Sequence, residues 1–246
     1  GMSGASINSA MVLAAGLGLR MRPITETRPK PLVSVGGKTL LDRALDALAA
    51  AGVPSAVVNL HYLGEMIERH LAGRRAPRIA FSDERELLLE TGGGVTKALP
   101  LLGDGPFFVV NADIAWVDGE IPALQRLAAR WDDSAMDALL LLHPVEETTG
   151  YDGVGDYTQD AEGRLRRRRD DPAAPYVFTG VQILHPRLFA DAPEGPFSLT
   201  RFYDEAEAEG RLFGLVHDGD WHHIGTPAGL AEAEARLKVP LIRSED

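Results

Sequence analysis

The sequence predicts an α/β fold: a mostly parallel sheet flanked by helices, with a small antiparallel addition in the second half of the chain. From residue 10 to residue 113, short apolar runs alternate with amphipathic segments of helical period, as in parallel strands joined by crossover helices. From residue 136 onward, closely spaced apolar runs surround a turn at residues 162–163, which predicts antiparallel pairing.

The first half of the chain is expected to form four strands and three helices. The apolar runs at residues 10–16, 55–60, 78–84 and 106–113 predict the strands. Helices are expected at residues 38–53, 63–73 and 95–102. The first of them has Leu41, Leu45 and Leu48 at helical spacing and ends at Gly52.

The second half is expected to contain strands at residues 136–145, 153–169, 176–186 and 211–218, with helices at 199–209 and 227–237. No repeat or long linker divides the chain. We therefore expect one domain over residues 10–240, with flexible tails at residues 1–9 and 241–246.

The composition restricts the possible partners. The net charge of −11 argues against nucleic acid or an anionic membrane surface as a partner. The absence of cysteine excludes disulfides, thiolate metal sites and cysteine nucleophiles. No apolar run approaches roughly 18 residues, and the polar start lacks the features of a signal peptide. We expect a cytoplasmic protein that is a monomer or a small homo-oligomer.

The loop after the first strand gathers positive charge in an acidic chain. Gly16 and Gly18 let the backbone approach a ligand there, and free amides in such a turn bind anions. Ligands of open parallel sheets bind beyond the carboxyl ends of the strands. The sequence therefore predicts a polyphosphate site, with basic residues supplied by Arg20, Arg22, Arg28 and Lys30.

Two common phosphate motifs do not fit this loop. The dinucleotide motif needs a third small residue where Met21 stands, and a Walker loop ending at "GGKT" needs a glycine where Leu32 stands.

Residues 13–32 instead resemble the signature loop of the sugar-1-phosphate nucleotidyltransferases, L-A-A-G-x-G-x-R followed by P-K-P. The resemblance implies a Rossmann-like, nucleotide-diphospho-sugar transferase fold, with Arg20 and Lys30 as catalytic residues on the phosphates. It also implies a nucleotide site formed by Leu13, Ala14, Ala15, Gly16, Gly18, Arg20 and Met21.

The resemblance continues along the chain. Residues 88–102 resemble the segment that reads the base, which implies nucleotide contacts from Gly92 and Gly93. "VVNAD" resembles the strand end whose aspartate binds magnesium, which implies that Asp113 is catalytic and binds Mg²⁺ and that Asn111 contacts the nucleotide. For the sugar, the resemblance implies contacts from Thr91, Gly155, Thr179 and Gly180.

"WHHIGTP" resembles the late W-x-D-x-G-T-P motif, but His223 replaces its metal-binding aspartate. Magnesium prefers oxygen ligands and can bind through one carboxylate and substrate phosphates. Three roles stay open for His223: a metal ligand beside Asp113, a phosphate contact, or packing beside Trp221.

The resemblance implies transfer of a nucleotidyl group from an NTP to a sugar 1-phosphate with release of pyrophosphate. UTP and N-acetylmuramate 1-phosphate, or a related hexosamine phosphate, are the expected substrates, which would place the enzyme in cell-wall recycling. GTP with mannose 1-phosphate, or a nucleotide-sugar-binding regulator with weakened catalysis, are the alternatives. The run Arg166–Arg169 either blocks pairing at a hairpin edge or holds an acidic group of the sugar.

Overall fold

The computed structural model describes residues 6–237. The strands, in chain order, are β1 (Ser9–Leu13), β2 (Ser34–Val35), β3 (Lys38–Thr39), β4 (Ser55–Leu60), β5 (Arg78–Asp83), β6 (Phe107–Asn111), β7 (Ile114–Val117), β8 (Ala138–Pro144), β9 (Tyr157–Gln159), β10 (Leu165–Arg167), β11 (Tyr176–Leu184), β12 (Leu212–Val216) and β13 (Asp220–His223). The α-helices are α1 (Leu40–Ala50), α2 (Gly64–Leu71), α3 (Glu90–Ala98), α4 (Ala123–Arg130), α5 (Thr200–Ala208) and α6 (Pro227–Leu237).

Within residues 6–237 the main sheet has nine strands and confirms the expected fold class. The order β10-β9-β11-β6-β1-β4-β5 contains a parallel block from β6 to β5, and β8 and β12 extend the sheet from β11. The antiparallel part is more central than expected, because β11 pairs with both β6 and β8. The carboxyl ends of β1, β4 and β6 meet at one edge.

Helices cover both faces of the sheet, so its strands are apolar on both sides. Along β6, Phe107 and Val109 pack into the core on one face, while Phe108 and Val110 pack into the core on the other. Leu41, Leu45 and Leu48 of α1 pack into the second of these cores, as their spacing predicts.

Several elements differ from those expected. The third helix begins at Glu90 and contains the glycines that were expected to precede it. Helix α4 and the hairpin of β2 and β3 were not predicted, and neither was the ribbon of β7 and β13. At the amino end, β1 starts at Ser9 and Ile7 is buried, so the ordered chain begins before residue 10. Most of the expected tails fall on residues 1–5 and 238–246, outside the described residues.

No helix within the described part of the chain is both long and apolar enough to cross a membrane.

A buried histidine makes stability depend on pH. His217 is 2% exposed, and its Nε2 lies 3.0 Å from the carbonyl oxygen of Val117, while its Nδ1 has no partner among residues 6–237. Burial lowers the pKa of His217 below its ordinary 6.5. Below that pH the unfolded chain binds more protons than the folded chain, so the free energy of unfolding decreases as the pH falls.

We therefore expect urea melts at pH 5.5 to give a lower free energy of unfolding than melts at pH 7.5. One such histidine contributes at most about 1.4 kcal/mol per pH unit. His217→Gln should reduce this dependence; an unchanged slope in that variant would contradict the assignment.

Candidate active site

The loop after β1 forms one wall of a cavity of about 330 Å³ at the carboxyl edge of the sheet. Asp113, which follows β6, also lines this cavity. The lining residues are Leu13, Ala14, Gly16, Leu17, Gly18, Leu19, Arg20, Met21, Lys30, Pro31, Asp113 and Gly225.

The loop presents unbonded amides to this cavity. Gly18 adopts a left-handed φ of 64°, and the Thr25 hydroxyl donates to its carbonyl oxygen at 2.5 Å, which holds the turn in place. Among residues 6–237, the amides of Ala15, Gly16 and Leu17 donate to no protein acceptor. Such amides can bind phosphate oxygens.

Two of the four basic residues in the loop line the cavity. Lys30 Nζ lies 3.5 Å from Asp113 Oδ2, and Arg20 is exposed on the same cavity wall. Arg22 and Arg28 do not line it. The structure thus brings together the three predicted catalytic residues, with two cations beside one half-exposed carboxylate.

The ribbon of β7 and β13 carries His223 to this site. His223 lies opposite Ile114, one residue after Asp113. A Cβ on Gly225 would lie 2.7 Å from His223 Nε2 and 2.9 Å from Arg20 Nη2, so both side chains converge on that glycine. Burial, and then the nearby Lys30 ammonium, lower the pKa of His223, which keeps the imidazole neutral near pH 7.

The donor set fits magnesium only when phosphates are also bound. No cluster of three histidine, cysteine, aspartate or glutamate side chains within the described residues could hold a metal alone. Asp113 offers one accessible carboxylate, and Mg²⁺ commonly combines one or two carboxylates with substrate phosphates. The neutral imidazole of His223 suits softer metals better, so its role as a ligand stays a prediction.

A second cavity of about 190 Å³ adjoins the first and shares Leu13, Gly16 and Asp113 with it. Its other lining residues are Ala15, Asn59, Leu88, Glu90, Thr91 and Asn111, none of them basic. This cavity therefore suits the neutral part of a substrate better than a phosphate.

A buried hydrogen-bond chain connects the loop to the entry of α3. Asn59 Oδ1 accepts from the Ala14 amide at 2.6 Å, and Asn59 Nδ2 donates to Glu84 Oε2 at 2.8 Å. Glu84, 1% exposed, accepts from the Leu89 amide through Oε1 at 3.0 Å. These hydrogen bonds connect the loop after β1 with the segment that leads into α3, and both segments line the second cavity. The sequence shows Asn59 and Glu84 only as polar residues near strand ends.

Glu84→Gln should lower the free energy of unfolding by about 1–3 kcal/mol, because its amide faces two donors and leaves one unpaired. Urea melts measure this change. Glu65→Gln, at an exposed position, is the control and should have little effect. A Glu84→Gln variant as stable as the parent would show that the buried chain contributes nothing.

Two predicted nucleotide contacts are not at a cavity wall. Gly92 and Gly93 are buried inside α3, where a Cβ would clash with the Phe197 ring and approach the Gly195 carbonyl oxygen to 2.7 Å. In this position they permit close packing against residues 195–197, and their contact with a base stays a prediction. The residues just before them, Leu88, Glu90 and Thr91, line the cavity.

Two residues of the loop that line the first cavity have side chains or amides engaged within the fold. The Met21 side chain is fully buried in a small core beneath the loop, so only its backbone can reach the nucleotide. The Ala14 amide is already bonded to Asn59 and is not free for an anion.

The predicted sugar contacts lie at different places. Thr91 lines the second cavity, as does Asn111, which packs against Gly180 in the bulge of β11. Thr179 is 1% exposed and its hydroxyl donates to the Leu141 carbonyl oxygen, so that side chain is engaged within the fold. Gly155 lines a separate cavity of about 230 Å³, beside the arginine run.

Two of the four residues of the arginine run form ion pairs with α5. Arg167 makes a two-pronged ion pair with Asp204 at 2.7 and 2.9 Å, and Arg169 pairs with Glu207 at 2.8 Å. Arg168 instead donates to backbone carbonyl oxygens, including that of Gly155 at 2.9 Å. The ion pairs with α5 explain the presence of Arg167 and Arg169 without any need for a bound ligand.

The match to known families decides what kind of protein carries this site. Residues 9–238 match the family described as Nucleotidyl transferase. The chain belongs to this family. It is therefore a nucleotidyltransferase, as the loop motif predicted.

Among nucleotidyltransferases, the chain is 48% identical over 232 residues to an N-acetylmuramate alpha-1-phosphate uridylyltransferase of Caulobacter vibrioides, covering 93% of this chain and 96% of that one. A protein of the same name from Neisseria meningitidis is 36% identical, with 92% and 96% covered. The mannose-1-phosphate guanylyltransferase catalytic subunit beta of Danio rerio is 31% identical over 89% of this chain and 61% of its own length.

Solved nucleotidyltransferase structures share the fold. A UDP-glucose pyrophosphorylase complexed with UDP-glucose superposes with a TM-score of 0.76 at 20% identity, covering 94% of this chain and 98% of that chain. The inositol-1-phosphate CTP transferase from T. maritima gives a TM-score of 0.76 at 19% identity, with 96% and 98% covered.

Proposed function

We propose that this nucleotidyltransferase transfers a uridylyl group from UTP to N-acetylmuramate 1-phosphate, or a related hexosamine phosphate, and releases pyrophosphate. The observation that carries the reaction type is the first cavity, which Arg20, Lys30 and Asp113 line together with a loop that has free amides. The two relatives named as N-acetylmuramate uridylyltransferases support the choice of substrates. This activity would serve cell-wall recycling in the cytoplasm.

The site supports an in-line displacement without a general base. An oxygen of the sugar phosphate forms a bond to the α-phosphorus of UTP, and the bond to the β-phosphate bridging oxygen breaks. Pyrophosphate leaves with that electron pair. The nucleophile is already ionised near pH 7, because the second pKa of a phosphate monoester is about 6.

The residues of the cavity meet the main difficulty, which is to hold two anions together. Arg20, Lys30 and the free amides hold the triphosphate and stabilise the negative charge of the departing pyrophosphate. Asp113 would hold Mg²⁺, which when bound neutralises phosphate charge and polarises the phosphoryl oxygens. His223, neutral and next to Arg20, can donate a hydrogen bond to a phosphate oxygen.

Pyrophosphate release tests the proposal. The purified protein with Mg²⁺ would be given each NTP in turn together with N-acetylmuramate, glucosamine-type and mannose 1-phosphates. Release with UTP and an amino-sugar phosphate is the expected result. Release with GTP and mannose 1-phosphate would favour the guanylyltransferase alternative. Nucleotide binding without release would favour a regulator, in which His223 in place of aspartate has weakened catalysis.

A further inference from the structure

Glu90 occupies a backbone conformation that disfavours a side chain. It begins α3 with a φ of 59°, in the left-handed region. That region is unfavourable for a residue with a Cβ, whereas glycine adopts it freely. The chain places glutamate here although three glycines follow within four residues.

Glu90 lines the second cavity, and its side chain has no partner among the described residues. It is exposed beside Leu88 and Thr91. Within residues 6–237 its carboxylate makes no hydrogen bond and no ion pair. Glu84, six residues earlier, has both carboxylate oxygens engaged. Glu90 therefore offers a free acceptor to whatever enters the cavity.

The chemistry of the cavity limits what that acceptor can bind. A carboxylate repels phosphate, and the basic residues that would hold phosphates line the first cavity. The second cavity combines apolar surface from Leu13, Ala15 and Leu88 with amide groups, which suits a flat ring with polar substituents. Its shared wall with the first cavity places that ring next to the triphosphate.

We propose that Glu90 is a specificity-determining residue whose carboxylate accepts hydrogen bonds from the nucleoside of the NTP, through a ribose hydroxyl or a base N–H. This inference rests on the proposed function for the presence of an NTP in the site. The resemblance in sequence implied that the glycine backbone recognises the base. The proposal gives a part in this recognition to the Glu90 side chain.

The test compares Glu90→Gln and Glu90→Gly with matched changes at Glu86, an exposed residue that does not line the cavity. KM is measured for UTP, for 2′-deoxy-UTP, for N3-methyl-UTP and for the sugar 1-phosphate. Glu90→Gly removes the acceptor and should raise the KM for UTP on the order of tenfold, with the KM for the sugar phosphate unchanged. Glu90→Gln keeps a neutral amide oxygen as acceptor and should raise the KM for UTP less. The variants should also lose the preference for UTP over at least one analogue, which identifies the donor.

Two results would overturn the proposal: a KM for UTP and an analogue preference equal to those of the parent, or a rise confined to the sugar phosphate. Glu90→Gly should have a melting temperature equal to or above that of the parent, because glycine relieves the left-handed strain. If Glu90→Gly is less stable than the parent, the KM values of Glu90→Gln decide the test. If the parent releases no pyrophosphate, the proposed function fails. Calorimetric affinity for UTP and its analogues then still tests Glu90.

Discussion

Replacing Arg20 with alanine is expected to lower kcat by about 10²–10³-fold, the usual cost of losing one donor to a developing charge. The guanidinium lines the first cavity and converges with His223 on Gly225, where a departing pyrophosphate would need its charge stabilised. Initial rates of pyrophosphate release at saturating UTP and sugar phosphate measure the effect. The free energy of unfolding should change little, because the side chain is exposed.

Arg22 provides the matched control for this experiment. It is an exposed arginine in the same loop, but its guanidinium donates to the Leu19 carbonyl oxygen and does not line the cavity. Arg22→Ala removes the same net charge and should retain kcat within a few-fold. Equal losses in the two variants would indicate a general effect of loop charge, and near-normal turnover of Arg20→Ala would refute the assigned role.

The second large effect is expected for Asp113→Asn, which keeps the shape of the side chain and removes its charge. We expect kcat to fall on the order of 10²-fold or more, because the proposed metal loses its protein carboxylate. Lys30, 3.5 Å away, also loses its anionic partner. The rate should be measured across a wide range of Mg²⁺ concentrations.

Metal binding can be followed independently of turnover. Mn²⁺ affinity in the presence of UTP, measured by paramagnetic resonance, should weaken in Asp113→Asn and stay unchanged in Asp104→Asn, an exposed loop substitution. Parent-like Mn²⁺ affinity in Asp113→Asn would remove this residue from the metal site.

The centre of the site could be predicted because each of its parts is a short motif directly after a strand. Gly18 and Arg20 lie in one loop directly after a strand, and Asp113 follows another strand of the same parallel block. In such a sheet the strand ends meet at one edge whatever the details of packing. The strand alternation likewise predicted the fold class.

The rest of the site depends on contacts that a linear pattern does not encode. A glycine that permits close packing, such as Gly92, looks in sequence like one that admits a ligand. The pairing of Asn59 with Glu84 follows from the register of β4 against β5, in which Leu60 lies opposite Asp83. The ribbon of β7 and β13 joins segments about a hundred residues apart through four residue pairs, too short a pattern to predict.

Because β13 belongs to that ribbon, the site is completed late in synthesis, long after the parallel block has been translated. The parallel block β1, β4, β5 and β6 ends at Asn111, whereas Gly225 and His223 emerge from the ribosome more than a hundred residues later. The four parallel strands are therefore already present in the nascent chain when Asn111 has been translated. The wall around Gly225 and His223 is complete only when the last strand has been translated and pairs with β7.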